Sequence, residues 1–270
     1  MDKKTRAKVI DWLFLAMIIL PFVFCMTLKV LTTPASDGIS ITGAQIYFTI
    51  PMPIQDLPIT AAQVNSCAVL ISLLGLCLYL THGLAVRPQS KRQLAAEWIV
   101  EKVNALVEDN MGKRFMNYAP FVAAIMGISA FSSLSSLLGL FPPTSDVNII
   151  AGWAILVFVL ITYYKLKAGV WNYVKGFFEP IPVFAPFNII GEIATPVSMS
   201  FRHYGNVLSG VVIASLIGSA LQGLSKMVLG WLPGILSLYF DVFSGCLQAF
   251  IFAMLTMLYI STAGPDPEEA

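Results

Sequence analysis

Four ionisable residues stand in or beside long apolar stretches of this 270-residue sequence: Asp146, Glu192, Arg202 and Asp241. A charge inside a membrane costs several kcal/mol, so such a residue normally marks a functional site or a paired contact. Carboxylates can bind and release protons, whereas arginine keeps its charge at any accessible pH and cannot relay one. Titratable acids together with one permanent cation indicate ion movement rather than the making of covalent bonds.

The residues around Arg202 form a polar stripe at helical spacing. Steps of three and four residues connect its members, which are Glu192, Thr195, Ser198, Arg202, Asn206 and Ser209. Such residues share one helix face, and at about 1.5 Å per residue the stripe runs on the order of 25 Å, nearly a bilayer core. The last apolar stretch repeats the pattern with Ser237, Asp241, Ser244 and Gln248. Two such stripes predict an aqueous path.

The composition excludes a soluble protein. Hydrophobic residues make up 57% of the chain and charged residues only 11%, whereas soluble domains carry roughly 25% charged residues. A net charge of +1 offers no basic field to a nucleic acid. The four cysteines lack the spacing of a metal site or a disulfide framework, and two separated histidines cannot build a metal site alone. We therefore predict an integral membrane protein without metal, cofactor or nucleic-acid partner.

Six stretches are long and apolar enough to cross a bilayer, which takes roughly 20 residues per helix. They cover residues 9–30, 64–84, 118–140, 148–164, 184–223 and 234–261. Residues 88–114 place apolar and charged positions near a helical period, which predicts an amphipathic helix at the membrane interface. The expected fold is all-α, with about six membrane helices, the last two long and polar-striped. A short strand at 45–49 is predicted in the polar loop 31–63.

The basic residues orient the predicted spans. Lys and Arg precede the first span, recur between the second and third, and follow the fourth, whereas residues 31–63 and 141–147 contain none. The positive-inside rule then places both termini in the cytoplasm. The cation-rich N-terminus and the absence of an extracytoplasmic signal favour a bacterial plasma membrane, with an organelle membrane as the alternative.

Each candidate residue also has a purely structural interpretation. Arg202 would snorkel at the inner membrane border if its span started near Gly205, a glycine that also permits close helix approach. Asp241 and Gln248 would hydrogen-bond across helices only to fix their packing. Asp146 follows two prolines and suits the cap of a helix N-terminus. The spacing of the residues leaves both interpretations open.

Three segments resemble the signature of subunit a, the stator channel subunit of rotary F-type ATP synthases. They are Asn188–Asn206, whose core reads Ser-x-Ser-x-Arg-x-x-Gly-Asn, then Pro142–Asn148 and Leu247–Thr256. The resemblance covers about residues 64–262. It implies an ion-translocating membrane domain at 64–262, preceded by an extra membrane helix and extracytoplasmic loop (1–63) and followed by an acidic cytoplasmic tail (263–270).

This resemblance implies a mechanism. In the family, two half-channels pass H⁺ or Na⁺ to and from the carboxylates of a rotating ring of c subunits, and this flow drives ATP synthesis. The position matching Arg202 faces that ring, where its charge attracts a deprotonated carboxylate and blocks a cation from passing straight through. Asn206, Gln248 and Asp241 would line the outer half-channel, with Glu192 and Ser198 toward the cytoplasmic one. Asp146 completes the expected ion-translocation residues.

The resemblance also implies partners: the c-ring, peripheral-stalk b subunits and the remainder of the ATP synthase, all in a lipid bilayer. ATP chemistry is expected on other subunits, because this chain has no Gly-rich Lys-Ser/Thr phosphate loop; the chain itself would be non-catalytic. The alternative is an independent secondary ion transporter, but such proteins usually show internal repeats with broken helices, and the sequence shows none. An intramembrane enzyme would need a nucleophile–base pair or a metal set.

Asp241 is expected to carry the titratable group of the outer path. Many relatives have an acid or histidine five residues after the Gly-Asn pair, where this chain has Val211, and some have histidine where it has Asp241. The carboxylate would then have moved between helices. We predict that Asp241→Asn abolishes ion-driven ATP synthesis in membrane vesicles, because an amide cannot bind and release a proton. Undiminished synthesis would refute this role.

Overall fold

Helices make up most of the computed structural model, which describes residues 3–32, 43–53, 56–86, 90–178, 181–220 and 238–263. In these ranges the α-helices are α1 (Lys3–Thr32), α2 (Ala61–Thr81), α3 (Lys91–Met111), α4 (Ala119–Leu134), α5 (Val147–Phe178), α6 (Ala185–Ala220) and α7 (Gly245–Ala263). Short 3₁₀ segments occupy Lys113–Tyr118, Ser135–Leu138, Pro143–Ser145 and Pro182–Phe184, and a π-helical segment, Leu238–Ser244, leads into α7. The predicted all-α architecture is confirmed.

Five helical segments of the described chain are long and apolar enough to cross a membrane: Lys8–Thr32, Ala61–Thr81, Lys113–Leu138, Val147–Trp171 and Val242–Ala263. They match five of the six predicted spans. The sixth is α6, a helix of 36 residues that carries the polar stripe. At about 1.5 Å per residue it is about 54 Å long, well beyond the ~30 Å hydrocarbon core. α6 is not among the five apolar segments, so its crossing of the membrane stays a prediction, and a helix of this length would cross obliquely or project past the core.

The ends of two helices, α2 and α5, differ from those predicted. α2 ends at Thr81 rather than 84, and Gly83 follows with a φ of 77°, outside the helical region. The helix predicted to end at 164 continues to Phe178 but breaks at Gly169, whose φ of 143° and ψ of 109° suit only glycine. Residues 234–237, including Ser237 of the predicted second stripe, lie outside the described residues, as does the predicted tail beyond Ala263.

The π-helical segment corrects the prediction of a second regular stripe. Its hydrogen bonds span five residues instead of four, so a spacing of three and four does not keep side chains on one face there. Asp241 and Ser244 both lie in this segment, and Gln248 lies in the following α-helix. The final stripe is therefore not one straight helical row.

α1 packs along α2 at short range. A Cβ atom added to Gly75 would lie 2.9 Å from the Cβ of Met17, so only glycine allows this approach. Ser72 Oγ, which is fully buried, donates to the Ile18 carbonyl at 2.9 Å. Small residues and hydroxyl hydrogen bonds of this kind are the usual means of helix association in lipid.

Charged groups join both ends of α1 to the bundle. At one end, Asp11 accepts a hydrogen bond from Arg92 Nη1 at 2.7 Å and lies 3.2 Å from His82 Nδ1. At the other end, the Lys29 ammonium donates to the Gly139 carbonyl. Lys29 is the cation that stands at an outer end of a span in the predicted topology, and this contact explains its position.

The loop between α1 and α2 holds an antiparallel hairpin of β1 (Ile46–Ile50) and β2 (Leu57–Thr60). The predicted strand at 45–49 is confirmed, whereas β2 was not predicted. Proline at position 58 is tolerated because each strand of a two-stranded sheet is an edge strand. The hairpin thus forms the only sheet among the described residues.

The predicted amphipathic helix at 88–114 is confirmed as α3. Some of its apolar residues are buried in the protein core, whereas others are exposed on the surface. Ser90 caps the helix by accepting a hydrogen bond from the Gln93 amide at 3.2 Å. Toward the C-terminus Val107 is fully buried in the main core, whereas toward the N-terminus Leu94 and Trp98 are about 60% exposed. Only the first half of α3 therefore presents an apolar face outward.

The main core lies where α3, α4, α5 and α6 meet α7. Phe252, Met257 and Ile260 of α7 are at most 1% exposed, and Ala253 allows neighbouring helices to come close. In lipid this packing replaces the hydrophobic effect as the driving force between helices. α7 is thus the central helix of the described bundle.

Candidate functional site

Arg202 lies near the middle of α6, on the face that points away from the bundle. The same face exposes Ser198, Phe201 and Gly205. Within the described part of the chain, Arg202 makes no hydrogen bond or ion pair. The snorkelling interpretation assumed a span that starts near Gly205, whereas α6 begins at Ala185. The permanent cation is thus presented at mid-helix to whatever surrounds the chain.

His203 explains why Arg202 faces outward. Its imidazole is 0% exposed, and Nε2 lies 3.4 Å from the hydroxyl of Ser129 on α4. The rings of Trp153 and Phe252 pack edge-on against it, with centroids 6.3 and 5.7 Å away. Because successive residues of an α-helix are about 100° apart, an inward His203 turns Arg202 away from the bundle. The sequence alone did not indicate this role for His203.

Glu192, at the N-terminal end of the stripe, forms an ion pair with Lys165 of α5. The ammonium Nζ lies 2.6 and 2.8 Å from the two carboxylate oxygens, and the side chains are only 18% and 31% exposed. The Tyr173 hydroxyl donates to the same carboxylate at 3.5 Å. Burial, and then the charge of Glu192, raise the pKa of Tyr173. The sequence indicated Lys165 only as one of the basic residues that orient the chain.

Several hydroxyls of α6 bond to their own helix. Thr195 Oγ1 donates to the Gly191 carbonyl at 3.2 Å, and Ser209 Oγ donates to the Asn206 carbonyl at 2.9 Å. Pro196 has no N–H, so the Glu192 carbonyl four residues earlier loses its usual intrahelical donor. The stripe therefore combines polar side chains with a backbone carbonyl that the helix leaves unbonded.

Asn206 brings the two striped helices together. Its Nδ2 donates to Ser244 Oγ of the π-helical segment at 2.7 Å. Gln248 follows on α7 and is only 6% exposed. Asp241 lies in the same π-helical segment as Ser244. These residues thus come from α6, the π-helical segment and α7, and the Asn206–Ser244 hydrogen bond joins the first two of these elements.

Asp146 lies at the start of α5, where it caps the helix. Its Oδ1 accepts a hydrogen bond from the Asn148 amide at 2.9 Å, and its carbonyl accepts from the Ile150 amide at 3.2 Å. The structural interpretation of Asp146 as a cap is therefore confirmed. The carboxylate is half-buried, and Asp146 immediately follows the Pro143–Ser145 segment.

A cluster of buried hydroxyls lies beside the outer-path residues. Its members, which have no hydrogen-bond partner among the described residues, are Ser132, Ser133, Ser136, Thr144 and Ser145. They belong to the end of α4 and to the two following 3₁₀ segments, and these elements contact α6 and the π-helical segment. Buried polar atoms in proteins are nearly always bonded to protein or water. This cluster was not predicted from the sequence, although the five serines within residues 129–136 are a signal that could have indicated part of it.

Gly205 does not act as predicted inside the chain. A Cβ atom built on it meets nothing within 4 Å, so the expected close helix approach does not occur among the described residues. Nor do three His, Cys, Asp or Glu side chains converge anywhere in that part of the chain to hold a metal ion. The candidate site is thus a path of single polar groups beside an exposed cation and an open glycine.

Comparison with known proteins identifies the family. Residues 63–261 match the family described as ATP synthase A chain. The chain is 34% identical over 204 residues to ATP synthase subunit a of Acidothermus cellulolyticus, covering 72% of each protein. It is 38% identical over 188 residues to that of Desulforamulus reducens, covering 67% of this chain and 70% of the relative. A Propionigenium modestum protein named ATP synthase subunit a, sodium ion specific, is 28% identical over 264 residues, 84% of this chain and 87% of the relative.

The Asn206–Ser244 contact predicts a specific cross-link. After replacement of the four native cysteines by alanine, Asn206→Cys with Ser244→Cys should join under mild oxidation or with a short bis-thiol reagent, because the native side chains are 2.7 Å apart. Ser209→Cys with Ser244→Cys is the matched control, since Ser209 is exposed and bonds to its own helix. Peptide mapping by mass spectrometry measures both products. Equal yields would contradict the described junction.

Proposed function

The chain belongs to the ATP synthase A chain family, and on that premise we propose that Arg202 separates two half-channels of its ion path. The protein is a multi-pass membrane protein and an ion-translocating stator subunit of ATP synthase. It is a component of that complex rather than its catalytic subunit. The coupling ion in the proposal is H⁺ or Na⁺, and the chain itself performs no covalent chemistry.

The main support for the proposal is the outward position of Arg202. A permanent cation that faces out of a membrane-crossing helix is costly unless an anion meets it, and among the described residues this chain supplies none. A ring of c subunits, each with one carboxylate, supplies that anion. The guanidinium lowers the pKa of a carboxylate brought beside it, so the ring site releases its ion there. The same charge repels a free cation and prevents a short circuit.

Glu192 and Ser198 line the inner half-channel in this proposal. Ser198 is exposed on the same face as Arg202, one turn closer to Glu192. Glu192 lies ten residues before Arg202, about 15 Å along the helix. Lys165 holds both oxygens of that carboxylate beside α5, so Lys165 and Tyr173 extend the expected residue set. Their contacts support a defined polar entrance between α5 and α6.

Asn206, Gln248 and Asp241 line the outer half-channel, joined by Ser244. The buried hydroxyls at the end of α4 and in the Pro143–Ser145 segment support an entry from that side, because polar groups without a protein partner require water. Asp146 places a carboxylate next to this entry while it caps α5. Asp241 provides the group that takes up and releases the ion.

The proposal extends to partners and orientation. The c-ring docks on the exposed face of α6, which beside Arg202 presents the apolar side chains Ile190, Ile193, Val197 and Phe201. Peripheral-stalk b subunits contact other sides of the bundle. Both termini are cytoplasmic by the distribution of Lys and Arg, and the membrane is a bacterial plasma membrane, since the relatives named above come from bacteria.

Replacement of Arg202 tests the central step. In vesicles that contain the complete complex, Arg202→Ala should abolish ATP-driven ion pumping, and any residual flux should be passive and independent of ATP. The reason is that the ring carboxylate loses its counter-charge and the barrier between the half-channels disappears. A pH- or Na⁺-sensitive dye measures pumping and leak in the same preparation.

Arg114→Ala is the matched control, because Arg114 is an exposed arginine outside the stripes; it should retain pumping. If Arg202→Ala pumped normally with coupling intact, Arg202 would be a border residue and the proposed path would be wrong.

Gly205 predicts a steric effect on the ring alone. Gly205→Leu adds a side chain whose Cβ has no atom within 4 Å among the described residues outside its own helical turn, so the subunit should fold and insert normally. Against a ring packed on the same face, overpacking costs about 1–3 kcal/mol, which corresponds to a loss of about 5- to 150-fold in ring docking. The measurement is the ratio of c to a subunits in the purified complex.

Gly152→Leu controls for the added bulk, since Gly152 is also exposed and open but lies on α5. An unchanged subunit ratio and unchanged pumping in Gly205→Leu would show that the ring does not approach this face.

A further inference from the structure

The β1–β2 hairpin carries a row of exposed apolar side chains. Phe48 and Ile50 share one face of β1 and are 56% and 40% exposed, and Leu57, which pairs with Ile50, is 40% exposed. The whole loop 31–63 contains no Lys or Arg. A contiguous exposed apolar row of this kind marks an interaction surface.

Hydrogen bonds fix the hairpin at the membrane border where α1 ends and α2 begins. Gln45 Nε2 donates to the Thr32 carbonyl at 2.9 Å, and the Ala61 amide donates to the Gln45 carbonyl at 2.8 Å. Thr32 is the last residue of one candidate span and Ala61 the first of the next. The hairpin cannot extend far from the bilayer.

Tyr47 shows which side of β1 faces the bundle. It is half-buried between exposed neighbours, and burial, with a smaller electrostatic contribution from Cys25, raises the pKa of its phenol. Cys25 lies seven residues before the end of α1, about 10 Å along the helix. The hairpin thus lies beside the last turns of α1 rather than beyond them. Phe48 and Ile50 are on the opposite side, together with Leu57, the partner of Ile50, whereas the register shift between Ile46 and Phe48 leaves Ile46 outside this row.

Two free-energy costs determine which environment the apolar row of the hairpin can occupy. Both strands of the hairpin are edges, and unpaired backbone N–H and C=O groups are not tolerated in hydrocarbon. In bulk water the row would stay exposed, at a cost of about 25 cal/mol per Å² of apolar surface. The bilayer interface avoids both costs. Head groups and water there form hydrogen bonds with the strand edges, and the outer part of the acyl chains covers the apolar side chains of the row.

We propose that the β1–β2 hairpin is an interfacial membrane anchor, with Phe48, Ile50 and Leu57 inserted into the lipid boundary beside α1. The row is continuous with a surface that lipid already covers, since Val30 and Leu31 at the end of α1 are 77% and 83% exposed. The anchor sets the depth and tilt of the α1–α2 pair. The inference depends only on the membrane topology and not on the proposed half-channels.

A photo-cross-linker tests the proposal in the complete ATP synthase in its native membrane. Benzoyl-phenylalanine at position 48 keeps an aromatic side chain there and should form adducts with phospholipid acyl chains. The same group at position 47 is the matched control and should react within this chain. Mass spectrometry identifies the products. Adducts of position 48 with another subunit would overturn the anchor in favour of a protein-docking surface.

A depth measurement covers the case in which position 48 forms no adduct. Phe48→Trp in vesicles of brominated phosphatidylcholine should gain fluorescence that, after subtraction of the parent complex, is quenched several-fold more by bromines near the head group than by bromines near the chain end. Absence of quenching would place the row in water, and stronger quenching by deep bromines would place it in hydrocarbon. Either result would overturn the proposal.

Discussion

The outward orientation of one permanent charge, Arg202, is the constraint on which the rest of the structure depends. A guanidinium cannot be neutralised by losing a proton, so the helix that carries it must hold a fixed rotation. The fully buried His203 supplies that rotation through Ser129 and two aromatic rings. Core packing thus determines where the functional charge points.

The contacts of the other polar groups are explained by the free-energy cost of placing an unpaired polar group in lipid. Glu192 is paired with Lys165, Asn206 is bonded to Ser244, and Asp146 caps a helix. Each of these contacts joins or begins a helix as well as placing a polar group along the proposed path. Structural and functional interpretations are therefore compatible here, because the interaction that satisfies a buried group also holds it in position.

The surrounding helices differ in how much of each is buried inside the protein. In the most apolar part of the segment Val242–Ala263, which includes α7, 44% of the residues are buried inside the protein. In α1 the corresponding share is 6%. α1 is held instead by close contact at Gly75, by the Asp11–Arg92 ion pair and by the hairpin at its far end. The segment outside the matched family region is thus tied to the family region by specific polar and steric contacts.

The sequence alone determined the membrane class, six helical stretches, the stripe around Arg202 and the family, because hydrophobicity, helical period and short motifs are properties of neighbouring residues. Only the tertiary structure decided that Lys165 pairs with Glu192, that His203 is buried, that Gly205 is open and that hydroxyls cluster after α4. The π-helical turn at Asp241 also escaped prediction. These features depend on which helices meet and how each is rotated, and that choice is made by packing between residues far apart in the chain.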